Sequence, residues 1–377
     1  MTQRDIIFVA NEVDELGGVG RWQAQLAGLL AGRGHRVTVV GIAPANHPMD
    51  LGERPPFRTV TLYAQRPPGR PRPRRLLGAA GPAARRHERR MRGAAARLTA
   101  LFRAAGPGAV IIVPQVWAME WVALADTAGH PVIGMTHESF DTARKSSRFA
   151  RVKKYFTDVD RLLALTQEDA DRWVGEGLNN VGFLPNPLPV AFGTPSPRTE
   201  KTVLSVGRLS HEKGVDLLLD AWAETVPHQP GWTLRIHGSG EAEAGLRRQC
   251  AELGLDGSVD FAGQTGDVPG ALRAASVFVQ SSRGEGFPLV LLEAMAGGVP
   301  CVAFDCAPGV REIVTHEADG LLARPGNTSE LARHLVRLMS DGQLRDRMGE
   351  QALRSVRRFD PDAVTSRWEE LFDLLER

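Results

Sequence analysis

The chain has 377 residues, 42% hydrophobic and 24% charged, with a formal net charge of +2. That balance fits a soluble globular protein, long for one compact domain and comfortable for two. It leaves no room for a membrane span, because the longest apolar candidate, Ala109 to Ala125, is broken by Pro114, Gln115 and Glu120.

The opening MTQRDIIFVA carries an acid and enters a strand at once, unlike a signal peptide. Three cysteines, Cys250, Cys301 and Cys306, are odd in number and lack metal-ligand spacing, as expected of thiols in a reducing cytoplasm. The net charge hides an asymmetry. Residues 1–195 hold 26 Arg and Lys against 17 Asp and Glu, whereas the remainder holds 20 against 27. Two stretches account for most of the excess: Arg66 to Arg92, with ten Arg and the single acid Glu88, and Arg144 to Lys154, with six basic residues and no acid. Each reads either as a solvated face or as a contact for an anionic surface, such as phospholipid headgroups or a phosphate-bearing molecule.

In chain order, Asp5 to Ala10 reads as a strand, followed by a loop ending in Gly17, Gly18 and Gly20, a helix over Arg21 to Ala31 and a strand over Val37 to Val40. Strand, Gly-rich loop, helix and strand open a nucleotide-type domain, with the loop at the carboxyl end of the first strand. The dinucleotide fingerprint is absent, and no acid ends the second strand to take a ribose. Ala43 to Pro82 is irregular, with one strand at Thr59 to Leu62. A helix near Ala84 to Ala104 precedes the strand Ala109 to Val113, and a further strand, Pro131 to Met135, is followed directly by His137 and Glu138. A His just past a strand end is placed for a ligand, although local backbone satisfies many such histidines. Strands at Leu162 to Leu165 and Val181 to Leu184 flank a helix starting near Glu168, and the Pro-rich run Pro185 to Pro197 reads as a linker.

The pattern then restarts. The strand Val203 to Val206 runs into a loop holding Arg208 and Lys213, with a helix after Gly214. Two cations at the carboxyl end of a first strand can neutralise a diphosphate, Arg as a planar fork and Lys as a point charge; a structural salt bridge is the simpler fate. TLRIHGSGE repeats strand and Gly-rich turn, with Gly238 and Gly240 ahead of a helix Glu241 to Leu253.

The most informative stretch is Ser281 to Phe304. Its helix, Leu289 to Gly297, is apolar all round except for Glu293, so it should be buried and its carboxylate should need donors. Eight residues earlier, Glu285 lies between Gly284 and Gly286 in the preceding turn, and is expected to be exposed. Pro288 suits the first helical position, leaving the N–H groups of Phe287, Leu289 and Val290 for an anion.

The Glu-x7-Glu segment EGFPLVLLE, together with GRLSHEKG around Arg208 and Lys213, resembles the retaining glycosyltransferases of family 4. The likeness covers nearly the whole chain apart from the Arg-rich stretch, most specifically residues 203–326. It implies the α/β GT-B architecture of two Rossmann-like domains facing across a cleft: residues 1–187 for the acceptor, 198–360 for a nucleotide sugar, and a last helix, 361–377, returning to the first domain. It further implies hexosyl transfer from a nucleoside diphosphate sugar, UDP-linked, to an acceptor hydroxyl of a polymer, glycolipid or small molecule such as an aminocyclitol. Gly17 and Gly18 would then cover the donor phosphates, Arg208, Lys213 and the amides of Phe287 and Leu289 would stabilise the leaving diphosphate, and His137 would touch the sugar. Gly286 and Pro288 would shape the turn. Glu285 would bind sugar hydroxyls and Glu293 the ribose; the turns of Gly240, Gln264 and Thr265 would hold the nucleoside. No metal or other cofactor is required by this scheme, and no nucleic-acid partner is implied. The Asp-x-Asp pairs at Asp158/Asp160 and Asp169/Asp171 are expected to be solvated helix-end charges. A glycoside hydrolase using Glu285 and Glu293, a sugar-nucleotide epimerase or phosphorylase, and a non-catalytic scaffold binding an anionic polymer are the rivals.

Overall fold

The structure, a computed structural model, describes residues 2–67, 82–189 and 193–376. The chain divides into two compact units, Met1–Pro187 with Pro361–Arg377, and Leu188–Asp360. Part of the Arg66 to Arg92 stretch (Arg70, Arg72, Arg74 and Arg75) and part of the Pro-rich run (Val190 to Phe192) lie outside the described residues. Among those described, no helix is long and apolar enough to cross a membrane.

The first unit is a seven-stranded parallel sheet: β1 (Asp5–Ala10), β2 (Arg36–Gly41), β3 (Arg58–Thr61), β4 (Val110–Val113), β5 (Val132–Met135), β6 (Arg161–Ala164) and β7 (Val181–Phe183), in the order β3-β2-β1-β4-β5-β6-β7. The second is a six-stranded parallel sheet of β8 (Thr202–Val206), β9 (Thr233–His237), β10 (Val259–Gly263), β11 (Val277–Gln280), β12 (Cys301–Phe304) and β13 (Gly320–Ala323), in the order β10-β9-β8-β11-β12-β13. Central strands such as VIIV and CVAF are buried along their whole length, as parallel strands covered on both faces must be. In each sheet the order reverses beside the first strand, between β1 and β4 and between β8 and β11. Such reversals open a crevice at the carboxyl ends of the strands. Both units are therefore Rossmann-like.

Boundaries shift where backbone chemistry overrides pattern. The first helix runs Gly18–Gly32 rather than from Arg21, with Gly17 at its N-cap and Arg21 N–H bonded to the Gly17 carbonyl. Gly18 and Gly20 are therefore helical, and a Cβ on Gly20 would stand 1.8 Å from the Glu15 carbonyl oxygen. Two short helices, Phe140–Arg144 and Ser147–Tyr155, follow β5; Ser139 and Ser146 cap them by accepting from Thr142 N–H and Arg148 N–H. The last helix, Pro361–Leu375, packs on the first unit through fully buried Val364, Trp368 and Phe372.

Candidate functional site

In the second unit, two loops leave the carboxyl edge of the sheet on either side of the β8–β11 reversal. The β8 loop makes a 3-10 turn, His211–Lys213, then passes through Gly214 at φ +61°, a left-handed position that suits glycine. A Cβ there would also stand 2.1 Å from the Ser281 carbonyl oxygen, so the glycine lets the loop close on the end of β11. Ser281 Oγ donates to the Lys213 carbonyl at 3.2 Å, and Arg283 N–H to the Glu212 carbonyl at 2.8 Å. The Arg283 guanidinium forks onto both carboxylate oxygens of Asp216, at 2.7 and 2.6 Å, and donates to the His211 carbonyl.

Lys213 and Glu285 meet across these bolted loops. Lys213 Nζ lies 2.7 Å from Glu285 Oε1, and Gln280 Nε2 (2.7 Å) and Ser282 Oγ (2.6 Å) donate to the same oxygen. Oε2 accepts no hydrogen bond from any described residue. The expectation of an exposed Glu285 is thus corrected: its side chain is only 10% accessible, because three donors, from the end of β11, the turn after it and the β8 loop, draw it inward. Cys306 nearby has its thiol pushed up to about 12, by burial first and the Glu285 charge second. Arg208 is exposed and forms no ion pair among the described residues.

The helix after Glu285 spans Leu289–Ala296 and is buried along Leu291 to Ala296, including Glu293. Pro288 stands at its N-cap rather than at the first helical position; with ψ 100° it is still extended, and its carbonyl accepts Leu291 N–H at 3.0 Å. The first helical amides, of Leu289 and Val290, therefore lie at the start of the helix beyond the reach of intrahelical acceptors. Phe287 is buried edge-on against Phe359, centroids 5.6 Å apart. The start of the neighbouring helix, Pro308–Ile313, presses on this turn: a Cβ on Gly309 would stand 1.9 Å from the Gly286 carbonyl oxygen.

The β9 turn is held against the β8 loop. Cβ atoms on Gly238 and Gly240 would lie 1.8 Å from the Gly207 and 2.2 Å from the Leu209 carbonyl oxygen, so both glycines serve close backbone packing. Gln264 Nε2 donates to Ser239 Oγ at 2.6 Å, joining the β9 and β10 turns, and Thr265 Oγ accepts from Asp267 N–H at 3.0 Å.

Gly17, Gly18 and His137 belong to the first unit. There His137 packs edge-on against Trp22 of the Gly18–Gly32 helix, centroids 4.5 Å apart, and Trp22 leans on Trp368, 6.2 Å away. Part of the His137 residue reaches the surface, but its Nε2 is sealed and bonded to none of the described residues; that enclosure of the ring pushes its pKa down to about 3. His137 is therefore a neutral imidazole at any physiological pH.

One expectation about the acidic pairs fails. Asp169 is buried: its carboxylate accepts from Phe140 N–H (2.8 Å) and Thr166 Oγ (2.9 Å), while Thr166 caps the Gln167–Gly175 helix. This reciprocal cap replaces solvent, and burial raises the carboxyl pKa. Asp160 is tied to Val132 N–H at 2.7 Å, while Asp158 and Asp171 are exposed.

Sequence reasoning missed Gln280, Ser282, Arg283, Asp216 and Gly309. The only signal available was the polar run QSSR ending an otherwise apolar strand.

Comparison with known proteins agrees with this geometry. Residues 16–192 match the model of Glycosyltransferase Family 4, and residues 191–355 that of Glycosyl transferases group 1. The chain is 37% identical over 255 residues to the exopolysaccharide phosphotransferase SCO2592 of Streptomyces coelicolor, which covers 66% of this chain but only 27% of that protein. It is 31% identical over 263 residues to the phosphatidyl-myo-inositol mannosyltransferase of Mycobacterium leprae, covering 67% of this chain and 68% of that one. The crystal structure of HepE from Anabaena, in complex with UDP and glucose, matches with a TM-score of 0.76 at 20% identity, over 99% of this chain and 100% of the other. That likeness carries the fold alone, an α/β GT-B architecture. With sequence models covering both units and a relative matched over two thirds of its length, the chain belongs to glycosyltransferase family 4, the group 1 glycosyl transferases.

Proposed function

We propose that the chain is a retaining hexosyltransferase, moving a glucosyl or N-acetylglucosaminyl group from a UDP-linked donor to an acceptor hydroxyl in cell-envelope polymer or glycolipid synthesis. The observation that carries it is the Lys213–Glu285 cluster, fixed at the carboxyl edge of the second sheet and followed directly by a helix N-terminus. The relatives, an exopolysaccharide phosphotransferase and a phosphatidyl-myo-inositol mannosyltransferase, favour an envelope acceptor over a small metabolite.

In this reading the bond from the anomeric carbon to the diphosphate oxygen breaks, and its electron pair leaves with the diphosphate. The acceptor oxygen forms its bond on the same face and passes its proton to a phosphate oxygen. The barrier lies in charge separation, so fixed positive charge at the leaving group is the main device. Arg208, Lys213 and the amides of Phe287 and Leu289 supply it, with Gly17 and Gly18 approaching the phosphates through backbone. Glu285 offers its uncommitted Oε2 to the sugar hydroxyls, His137 offers a neutral nitrogen, and Glu293 takes the ribose hydroxyls. Gly240, Gln264 and Thr265 form the nucleoside wall, with Gly286 and Pro288 shaping the turn. These roles need no metal.

The exposed Arg86, Arg89 and Arg90 of the helix Pro82–Ala104 give the first unit a basic face suited to anionic lipid. This favours work at the inner surface of the cell membrane without insertion.

The test is slow donor hydrolysis by purified protein, with UDP-, ADP- and GDP-sugars compared by thermal shift. Release of UDP that vanishes in Glu285→Gln and Lys213→Ala supports the transferase. No release and no donor-induced shift with any nucleotide sugar would leave only the binding scaffold.

A further inference from the structure

The first unit contains a cavity of about 790 Å³, within the range of small-molecule sites. Its floor is the carboxyl edge of the sheet at Asn11 and Ala43, just past β1 and β2. Its walls include the half-buried aromatics Trp117, Trp121 and Tyr155, each packed against the core of the unit.

The charges in the lining are arranged in opposition. Arg66 pairs with Glu12, and Arg151 with Glu120. Arg151 also lies over the Trp117 ring, its guanidinium carbon 3.5 Å from the ring centroid. Among the described residues, Glu15 accepts only a neutral donor, Gln115 Nε2 at 2.6 Å, and Gln115 in turn accepts Asn11 N–H at 2.9 Å. Lys154 is the one lining cation without a carboxylate partner among the described residues; its Nζ stands 4.7 Å from the Tyr155 centroid. Among the described lining residues, three cations thus face three carboxylates. A phosphate entering here would gain one uncommitted cation and meet the Glu15 carboxylate, a poor exchange for its lost hydration. An uncharged polyol meets no such conflict: carboxylates accept its hydroxyls, guanidinium groups donate to them, and indole faces cover its C–H surface.

We propose that this cavity seats the pyranose end of an uncharged glycan as the acceptor. The acceptor role rests on the transferase reading above; the binding of the glycan does not. The arginines on the helix Pro82–Ala104 then serve the surface on which the acceptor is carried, not the sugar itself.

The experiment is titration of the full chain, followed by tryptophan fluorescence, with maltotriose, cellotriose and tri-N-acetylchitotriose, and with a glycerol phosphate trimer at matched ionic strength. At least one neutral trisaccharide should saturate with a Kd in the millimolar range or tighter. Trp117→Ala should weaken it tenfold or more, Trp117→Phe should restore most of it, and Lys154→Gln should change it less than threefold. Melting curves check that each variant is folded, and Glu15→Gln, which removes a charge at constant shape, gives a second weakened variant should Trp117→Ala not fold. Absence of saturation by all three neutral sugars would overturn the proposal, as would preference for the phosphate trimer that Lys154→Gln abolishes. Donor hydrolysis is read separately: glycan binding without UDP release keeps the cavity and removes the transferase, and the reverse removes the cavity alone.

Discussion

Lys213 Nζ stands 2.7 Å from Glu285 Oε1, and that one oxygen also collects donors from Gln280 and Ser282. The crowding is asymmetric: Oε1 collects all three donors, and Oε2 receives none from any described residue. The lysine remains a third exposed and can turn to a phosphate while two neutral donors keep the glutamate in place.

Glu285→Gln should therefore be a moderate change to the fold and a severe one to catalysis. The carboxylate is only 10% accessible and three donors meet it, although the lysine is a third exposed, so the change should cost about 1–3 kcal/mol of stability. A misplaced donor in the charge-stabilising site should lower kcat by about 10²–10³-fold. Steady-state UDP release, with melting curves alongside, measures both; a variant that retains more than a tenth of wild-type turnover would remove Glu285 from the machinery.

On the proposed reading, Arg283 acts as a positioning residue. Its fork on Asp216 and its bond to the His211 carbonyl fix the loop that carries Lys213. The pairing holds the Asp216 carboxyl below the usual carboxylate range. Arg283→Met should loosen the loop without touching the donor, and misplacement of about 1 Å costs on the order of 10²-fold in rate. The expected signature is a fall in kcat larger than the rise in donor KM, with partial rescue by Arg283→Lys. An equal loss in Arg283→Lys and Arg283→Met would point instead to a wholly geometric requirement for the bidentate fork.

His137 makes stability depend on pH. Its folded pKa is near 3, against 6.5 when exposed, so between those values the unfolded chain binds the extra proton. Stability from this group is complete above pH 6.5 and is lost as the pH falls towards 3. The loss should be about 1 kcal/mol between pH 6.5 and 5.5. Urea unfolding at those two pH values should show a slope in the wild type that His137→Gln flattens by that amount. Identical slopes would mean that the ring is solvated.

The legible part of this molecule was its repeated grammar. Apolar strands followed by glycine turns marked both sheets, and Glu285 and Glu293 stood out because a carboxylate in an apolar run is costly. Lys213 was legible as a cation after β8, but not as the partner of Glu285, because that contact spans 72 residues and depends on Gly214. Asp169 looked solvated because polar neighbours surround it in sequence, whereas its actual environment is Phe140 N–H and the Thr166 cap. The aromatic cavity escaped notice for the same reason. Trp117 and Tyr155 are far apart in the chain, and a Trp near a strand end reads as core.

The C-terminal helix offers a final test, since two of its acids face the same kind of partner at different depths. Glu369 is 11% accessible and receives Arg33 Nη1 at 2.6 Å and His35 Nε2 at 3.1 Å. Asp373 is 71% accessible and receives Arg4 Nη2 at 2.6 Å, while Arg4 also pairs with Glu376. Distance alone would rank the acids together; depth separates them. Removing the Asp373 charge leaves Arg4 a second carboxylate and frees a solvated site, so Asp373→Asn should cost about 0.5 kcal/mol or less. Removing the Glu369 charge leaves Arg33 and His35 less well matched in a nearly dry contact, beside the Trp368 ring that supports Trp22. Glu369→Gln should cost about 1–3 kcal/mol. Because Trp22 in turn braces His137, the same variant should lower turnover more than Asp373→Asn at equal donor saturation. Equal melting temperatures for the two variants would show that the helix is held by its apolar face, Val364, Trp368 and Phe372, and that the buried acid adds nothing.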